Sequence, residues 1–163
     1  MYVCLMRHGK AEAAADGMAD ADRRLNEKGI QQVMAMANLA KKLWPLGTTA
    51  VWASPLLRAR ETAVTMSRAI RAEKLSSHEA IASGDIQAVY TDILAQEKSD
   101  VVLLVGHEPY LSRWLKQWTG LSLDFKAGSM VLLDYDSTTG TVGQGSMILF
   151  VRPDGADLIL RRV

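Results

Sequence analysis

The chain contains a single cysteine, Cys4, so no disulfide can close within it. Cys4 stands in the apolar run YVCLM, where a small buried thiol is expected, as in proteins of a reducing cytosol. An excess of either charge is also missing. Against 19 Lys and Arg stand 18 Asp and Glu, a formal net charge of +1, so no global field draws the molecule to nucleic acid or to an anionic membrane. Any basic site must therefore be local. Apolar runs are short, and none approaches the roughly 20 residues of a membrane-spanning helix. No basic segment leads into a long apolar stretch at the start, so no signal peptide is expected and the expected location is cytoplasmic. Histidine is sparse, with 3 residues, and neither HExxH nor CxxC spacing occurs, which argues against a bound metal or other cofactor.

What is present suits one domain over residues 1–163, with 48% apolar and 23% charged residues. Residues 2–6 are apolar on both alternating faces, as in a strand covered from both sides. The stretch from Lys10 to Arg24, rich in Ala and Asp, reads as a surface loop. Asn26 can cap a helix from Glu27 to Leu43 or Trp44, with Ile30, Val33, Ala37, Ala40 and Trp44 as its apolar face. Met34 and Met36 of that helix read as core packing. Residues 49–54, TAVWAS, form a second buried strand. Ser54 and Pro55 then read as an N-cap and first helical residue, the helix continuing through LLRARETAVTMSRAIRAE.

A loop with His78, Glu79, Gly84 and Asp85 precedes a helix around Ile86 to Gln96. Val101 to Val105 form the strongest buried strand, and YLSRWLKQWTG a helix ended by Gly120, with Trp114 and Trp118 on one core-facing side. The remaining runs SMVLLDYD, SMILFVRP and DLILRRV read as strands in antiparallel hairpins, with Arg161 and Arg162 as solvated strand-end charges. The expected fold class is α/β, with a mostly parallel central sheet and an antiparallel C-terminal edge.

Ligands of such sheets bind beyond the carboxyl ends of the strands. Arg7, His8 and Gly9 follow the first strand. Arg58 lies in the first helical turn after the second, and Gly106 and His107 follow the third. Two guanidiniums offer planar charged forks for phosphoryl oxygens. A neutral imidazole carries a lone pair able to attack phosphorus, and a second imidazole can donate a hydrogen bond to the developing charge. Gly9 is expected to let the backbone approach a substrate. His78, in a polar loop, is expected to be structural.

LMRHG, ASPLLRARETA and VVLLVGHEP, in that order over residues 3–110, resemble the signatures of the histidine phosphatase superfamily. Compact length, RHGKA and the segment around Gly84–Asp85 resemble its short SixA-type phosphohistidine phosphatases. The serine or threonine and the asparagine that follow RHG in the mutase branch are replaced here by Ala11 and Ala14. The resemblance implies a three-layer α/β/α sandwich and a phosphorylated nucleophile at His8. It also implies that Arg7, Arg58 and His107 hold the phosphoryl group, without a metal.

The substrate expected from it is phosphohistidine on a protein, in a two-step transfer through phospho-His8. Two readings stay open beside it: a small-molecule phosphomonoesterase, and a phosphate-binding module without turnover. Glu79 and Asp85 are the candidate proton donors, neither in a clear motif. The lack of a clear acid favours a leaving imidazole, which asks less of one. The oligomeric state is open.

Overall fold

The computed structural model describes residues 1–161. Arg162, one of the two expected C-terminal charges, falls outside them. Six strands form one sheet in the order β3-β2-β4-β1-β5-β6. Their ranges are β1 Tyr2–Arg7, β2 Thr49–Ala53, β3 Lys74–Ser77, β4 Val101–Gly106, β5 Met130–Asp136 and β6 Gln144–Val151. The first four are mutually parallel, and β5 runs antiparallel to both β1 and β6.

Alternation along the strands divides the core in two. Cys4, Met6, Val51, Leu103 and Val105 face one side, against α1 (Glu27–Leu43), α2 (Leu57–Ile70) and α6 (Pro153–Leu160). Val3, Leu5, Val102, Leu104 and Leu133 face the other. There they meet α3 (Glu79–Ser83), the π-helical segment Val89–Leu94 that continues α4 (Ile86–Ala88), and α5 (Tyr110–Thr119). Because successive strand residues point to opposite faces, one sheet serves both helical layers, the α/β/α arrangement expected. No helix among the described residues is long and apolar enough to cross a membrane.

Asn26 caps α1, its Oδ1 accepting from the Gly29 N–H at 2.8 Å. Val33, Ala37 and Ala40 of the expected face are buried, joined by Gly29, Ala35, Met36 and Leu39, so the face is wider than expected and turned away from Ile30. Ile30 is 53% exposed and Met34 46% exposed, so neither belongs to the core, whereas Met36 is fully buried as expected. Glycine occupies the buried position because the chain after β1 passes against it. A Cβ on Gly29 would lie 2.0 Å from the Lys10 carbonyl oxygen.

Other boundaries differ from the sequence reading. Ser54 does not cap α2: its N–H donates to Val105 O at 3.0 Å, extending the sheet, and Leu56 is the extended residue before the helix. The helix ends at Ile70, with Arg71 left-handed at φ 53°. Residues 74–77, beyond the expected helix and placed in no strand by the sequence reading, form β3, an edge strand paired with β2 alone. The expected loop after it contains α3, which begins at Glu79.

The described part of DLILRRV, residues 157–161, is not a strand. Pro153 opens α6, and Ala156 packs into the layer of α1. A short apolar run does not reveal its own period, and here Pro at the first turn decided for helix. Trp114, Trp118 and Cys4 are buried as expected, while Arg161 is exposed just past α6 rather than at a strand end.

Candidate active site

The parallel register of β1 and β4 aligns Arg7 with Gly106, and the His8 N–H donates to Gly106 O at 3.2 Å. His8 and His107 therefore leave adjacent strands at the same level, and their ring centroids lie 4.9 Å apart. Arg58, on the first turn of α2, reaches the same place, its Nε donating to His8 Nε2 at 3.3 Å. Arg7, His8, Arg58 and His107 together line a cavity of about 340 Å³ at the carboxyl ends of the parallel strands. A larger cavity, about 660 Å³, lies between α1 and α2, and its lining contains neither imidazole.

The loop after β1 is fixed from both sides. Gly9 N donates to Thr62 Oγ1 at 3.2 Å, and that hydroxyl donates to Arg58 O at 2.8 Å, tying the loop to α2. On the other side, a Cβ on Gly9 would meet Gly29 O at 2.6 Å and Val33 Cγ2 at 2.8 Å. Gly9 thus makes room for α1, not for a substrate, which corrects the sequence reading. Segment 125–129 completes the rim: Arg7 Nη1 donates to Phe125 O at 2.6 Å, and Gly128 N to both Arg7 O and His8 O at 3.1 Å.

His8 Nδ1–H donates to Gly9 O at 2.7 Å, which assigns the ring hydrogen to Nδ1 and leaves the lone pair on Nε2. Burial, aided by the charges of Arg58 and Arg7, lowers the His8 pKa to about 4. Burial also lowers that of His107 to about 3, with His8 and Arg58 adding to it. Both imidazoles are neutral at pH 7. His8 thus presents an unprotonated nitrogen, and His107 one N–H donor.

The structure brings further groups to the site that the sequence did not single out. Arg23, from the loop before α1, lines the cavity and pairs with Asp20 at 2.7 Å. Asp20 also accepts from Arg58, Nη1 to its carbonyl at 2.8 Å and Nη2 to its carboxylate at 3.0 Å. Glu108 lines the cavity beside His107. No strand end points to Arg23 in the sequence. Glu108 could have been noticed only as the acidic neighbour of His107.

Glu79 and Asp85, the expected proton donors, do not line this cavity. Glu79 is exposed in the first turn of α3, and Asp85 Oδ1 caps α4 by accepting from Ala88 N at 3.0 Å. His78 caps α3, its Nδ1 accepting from Ala80 N at 3.1 Å. Among the described residues no group of His, Cys, Asp and Glu could hold a metal ion.

Convergent arginines and neutral imidazoles beyond a parallel sheet have the donors and charge to hold a tetrahedral oxyanion. The sequence profile of the histidine phosphatase superfamily (branch 1) matches residues 3–82. An uncharacterized protein of Picosynechococcus sp. is 30% identical over 138 residues, 80% of this chain and 83% of that protein. The crystal structure assigned as phosphohistidine phosphatase SixA from Agrobacterium tumefaciens superposes with a TM-score of 0.78 at 27% identity, covering 93% of this chain and 97% of that one. Protein histidine phosphatase SixA complexed with tungstate shares the fold, with a TM-score of 0.80 at 22% identity over 94% of this chain and 98% of that one. The chain belongs to the histidine phosphatase superfamily.

Proposed function

We propose that this protein is a phosphohistidine phosphatase that uses His8 as nucleophile. The observation carrying this reading is a cluster of buried polar atoms without a partner among the described residues. Of five such side-chain atoms, Arg7 Nε, His107 Nδ1, His107 Nε2 and Glu108 Oε1 belong to residues lining the cavity around His8. Buried donors are ordinarily satisfied, and a phosphoryl group has the acceptor oxygens that Arg7 and a neutral His107 can serve.

In the first step the Nε2 lone pair attacks phosphorus, the bond to the leaving atom breaks, and that atom takes its electron pair and a proton. In the second, water attacks the phosphohistidine, the P–Nε2 bond breaks, and phosphate departs while Nε2 regains its lone pair. Arg7, Arg58 and His107 stabilise charge on the transferring oxygens in both steps. These residues supply the charge neutralisation without a metal.

A protein-borne substrate is supported by the likeness to SixA at 27% identity and by a cavity at the sheet's rim that no extra domain covers among the described elements. A small phosphate ester as substrate is the second reading. It is favoured by Glu108, which brings a carboxyl group to the cavity that Glu79 and Asp85 do not line.

The test is release of phosphate from a phosphohistidine-bearing protein, without added metal, by the wild type and by His8→Ala. Release abolished in the variant is expected, with label from the substrate trapped on His8 in the wild type. Release that survives His8→Ala would remove the nucleophile. Release from small esters alone would leave the second reading in place of the first.

A further inference from the structure

The two edges of the sheet are unlike. β3, at one edge, is four residues long, begins with Lys74 and ends on two serines, which suits a strand that meets water. β6, at the other, is eight residues long, QGSMILFV, with neither a charge nor a proline among them. Among the described residues it pairs with β5 alone, so the backbone groups along its outer side meet no strand. Met147, Ile148 and Leu149 are exposed in its middle, Ile148 to 52%. Leu149 shares a groove of about 390 Å³ with Leu158 and Ile159 of α6, and Leu158 is 63% exposed. A long, uncharged, apolar edge of this kind is a template for a further strand.

We propose that β6 pairs antiparallel with β6 of a second copy of this chain, joining two sheets into one across a twofold axis between Met147 and Ile148. The strand is complementary to itself in that register. Leu132 of β5 faces Leu149 and Leu133 faces Met147, so Ile148 is an extra, bulged residue and the alternation changes there. Ser146 and Leu149 consequently share the face of α1 and α6, whereas Gly145, Met147 and Phe150 share the opposite face. About the proposed axis Phe150 of each copy meets Gly145 of the other, Leu149 meets Ser146, and Met147 meets Ile148. The first two pairings set a large side chain against a small one on a common face, and the third sets apolar on apolar. Faces match, so the helical layers of the two copies continue one another. A strand of an unrelated protein would require no such relation between the two halves of β6. A closed twofold pair does, because one surface must fit itself.

β6 runs in the direction of β1, since β5 is antiparallel to both, and its carboxyl end therefore points to the rim that holds His8. The twofold sends the second cavity to the opposite rim, and each copy keeps a whole one. The pairing thus stands apart from the phosphatase reading.

The test is the mass of the full chain by sedimentation at about 1 and about 100 μM, a range that brackets micromolar association. A mass approaching two chains at the higher concentration is expected. In Ile148→Lys, which puts a charge on the edge, the mass should fall to one chain. Its melting temperature at about 1 μM and its turnover of p-nitrophenyl phosphate should stay as in the wild type. The register has its own test. Opposed residues of antiparallel neighbours have Cα atoms about 4.5–5.5 Å apart, within disulfide reach. Mild oxidation should therefore link Ser146→Cys/Leu149→Cys into a two-chain species. Ser146→Cys alone should stay unlinked, since the two copies of that position lie three residues apart along the strands, roughly 10 Å. Cys4 is buried and does not compete. A wild-type mass of one chain at the higher concentration would overturn the proposal and leave the edge to a strand of another protein. A dimer that survives Ile148→Lys, or one that the paired cysteines fail to link, would overturn it as well.

Discussion

Arg58 donates from Nε to His8 Nε2 at 3.3 Å while Asp20 holds both other nitrogens of the same guanidinium, at 2.8 and 3.0 Å. The side chain is thus clamped from outside and aimed by a single N–H at His8 Nε2. An ammonium has the charge but not the fork. Arg58→Lys is expected to lower kcat/KM by about 100-fold, on the scale of removing one preorganised donor to a transferring oxyanion. Steady-state kinetics with p-nitrophenyl phosphate checks this, and a loss below about 3-fold would show that charge alone suffices.

Acid should destabilise the molecule earlier than its carboxylates require. The folded-state pKa values of His8 and His107, about 4 and about 3, lie below the ordinary value of 6.5. Between those values the unfolded chain binds more protons, so stability rises with pH; it is fully present above about 6.5 and is lost as pH falls toward the folded-state values. From pH 7.5 to pH 5 each histidine accounts for up to about 2 kcal/mol. Urea denaturation at the two pH values measures the difference, which should shrink in His107→Gln.

Tetrahedral oxyanions should protect the fold. Phosphate or tungstate at 100 times its dissociation constant stabilises the native state by about 2.7 kcal/mol. Arg7→Ala should abolish most of the resulting rise in melting temperature, because its buried Nε has no partner among the described residues. A rise of the same size in the variant would move the anion elsewhere.

Two glycine-to-alanine changes should act in opposite directions. At Gly9 the new methyl would meet the Gly29 carbonyl at 2.6 Å, a backbone atom that cannot swing aside, so a loss of about 1–3 kcal/mol is expected together with reduced activity. At Gly155, inside α6, nothing lies within 4 Å of the added methyl, and helix propensity should raise stability by up to about 1 kcal/mol. Thermal denaturation of the two variants tests both signs.

The strands that carry the site were the most readable part of the sequence. β1 and β4 are buried on both faces, and such strands announce themselves as unbroken apolar runs. With them came Arg7, His8 and His107, each at a strand's end, and Arg58 followed from the helix after β2. β3 was hidden because KLSS pairs on one side only and has little apolar surface to show. Burial is a tertiary property, so nothing in GHEP revealed that the acidic residue beside His107 would lose its water. Arg23 reaches the cavity from the end of a single 3-10 turn, too short for a period to show in the sequence, and only the contacts of Asp20 disclose its place.

The bond from His8 N–H to Gly106 O sits in the middle of the sheet, between strands covered on both faces, whereas Asp20 belongs to a single 3-10 turn at the surface, Asp20–Asp22, and Arg23 follows it. The two halves of the cavity around His8 should therefore exchange their amide hydrogens on different clocks. The His8 and Ser54 amides, both bonded into β4, open only with the whole molecule, while the segment that clamps Arg58 opens on its own at little cost. Deuterium uptake would then separate a His8 backbone anchored as firmly as the core from a guanidinium clamp free to let go and close again.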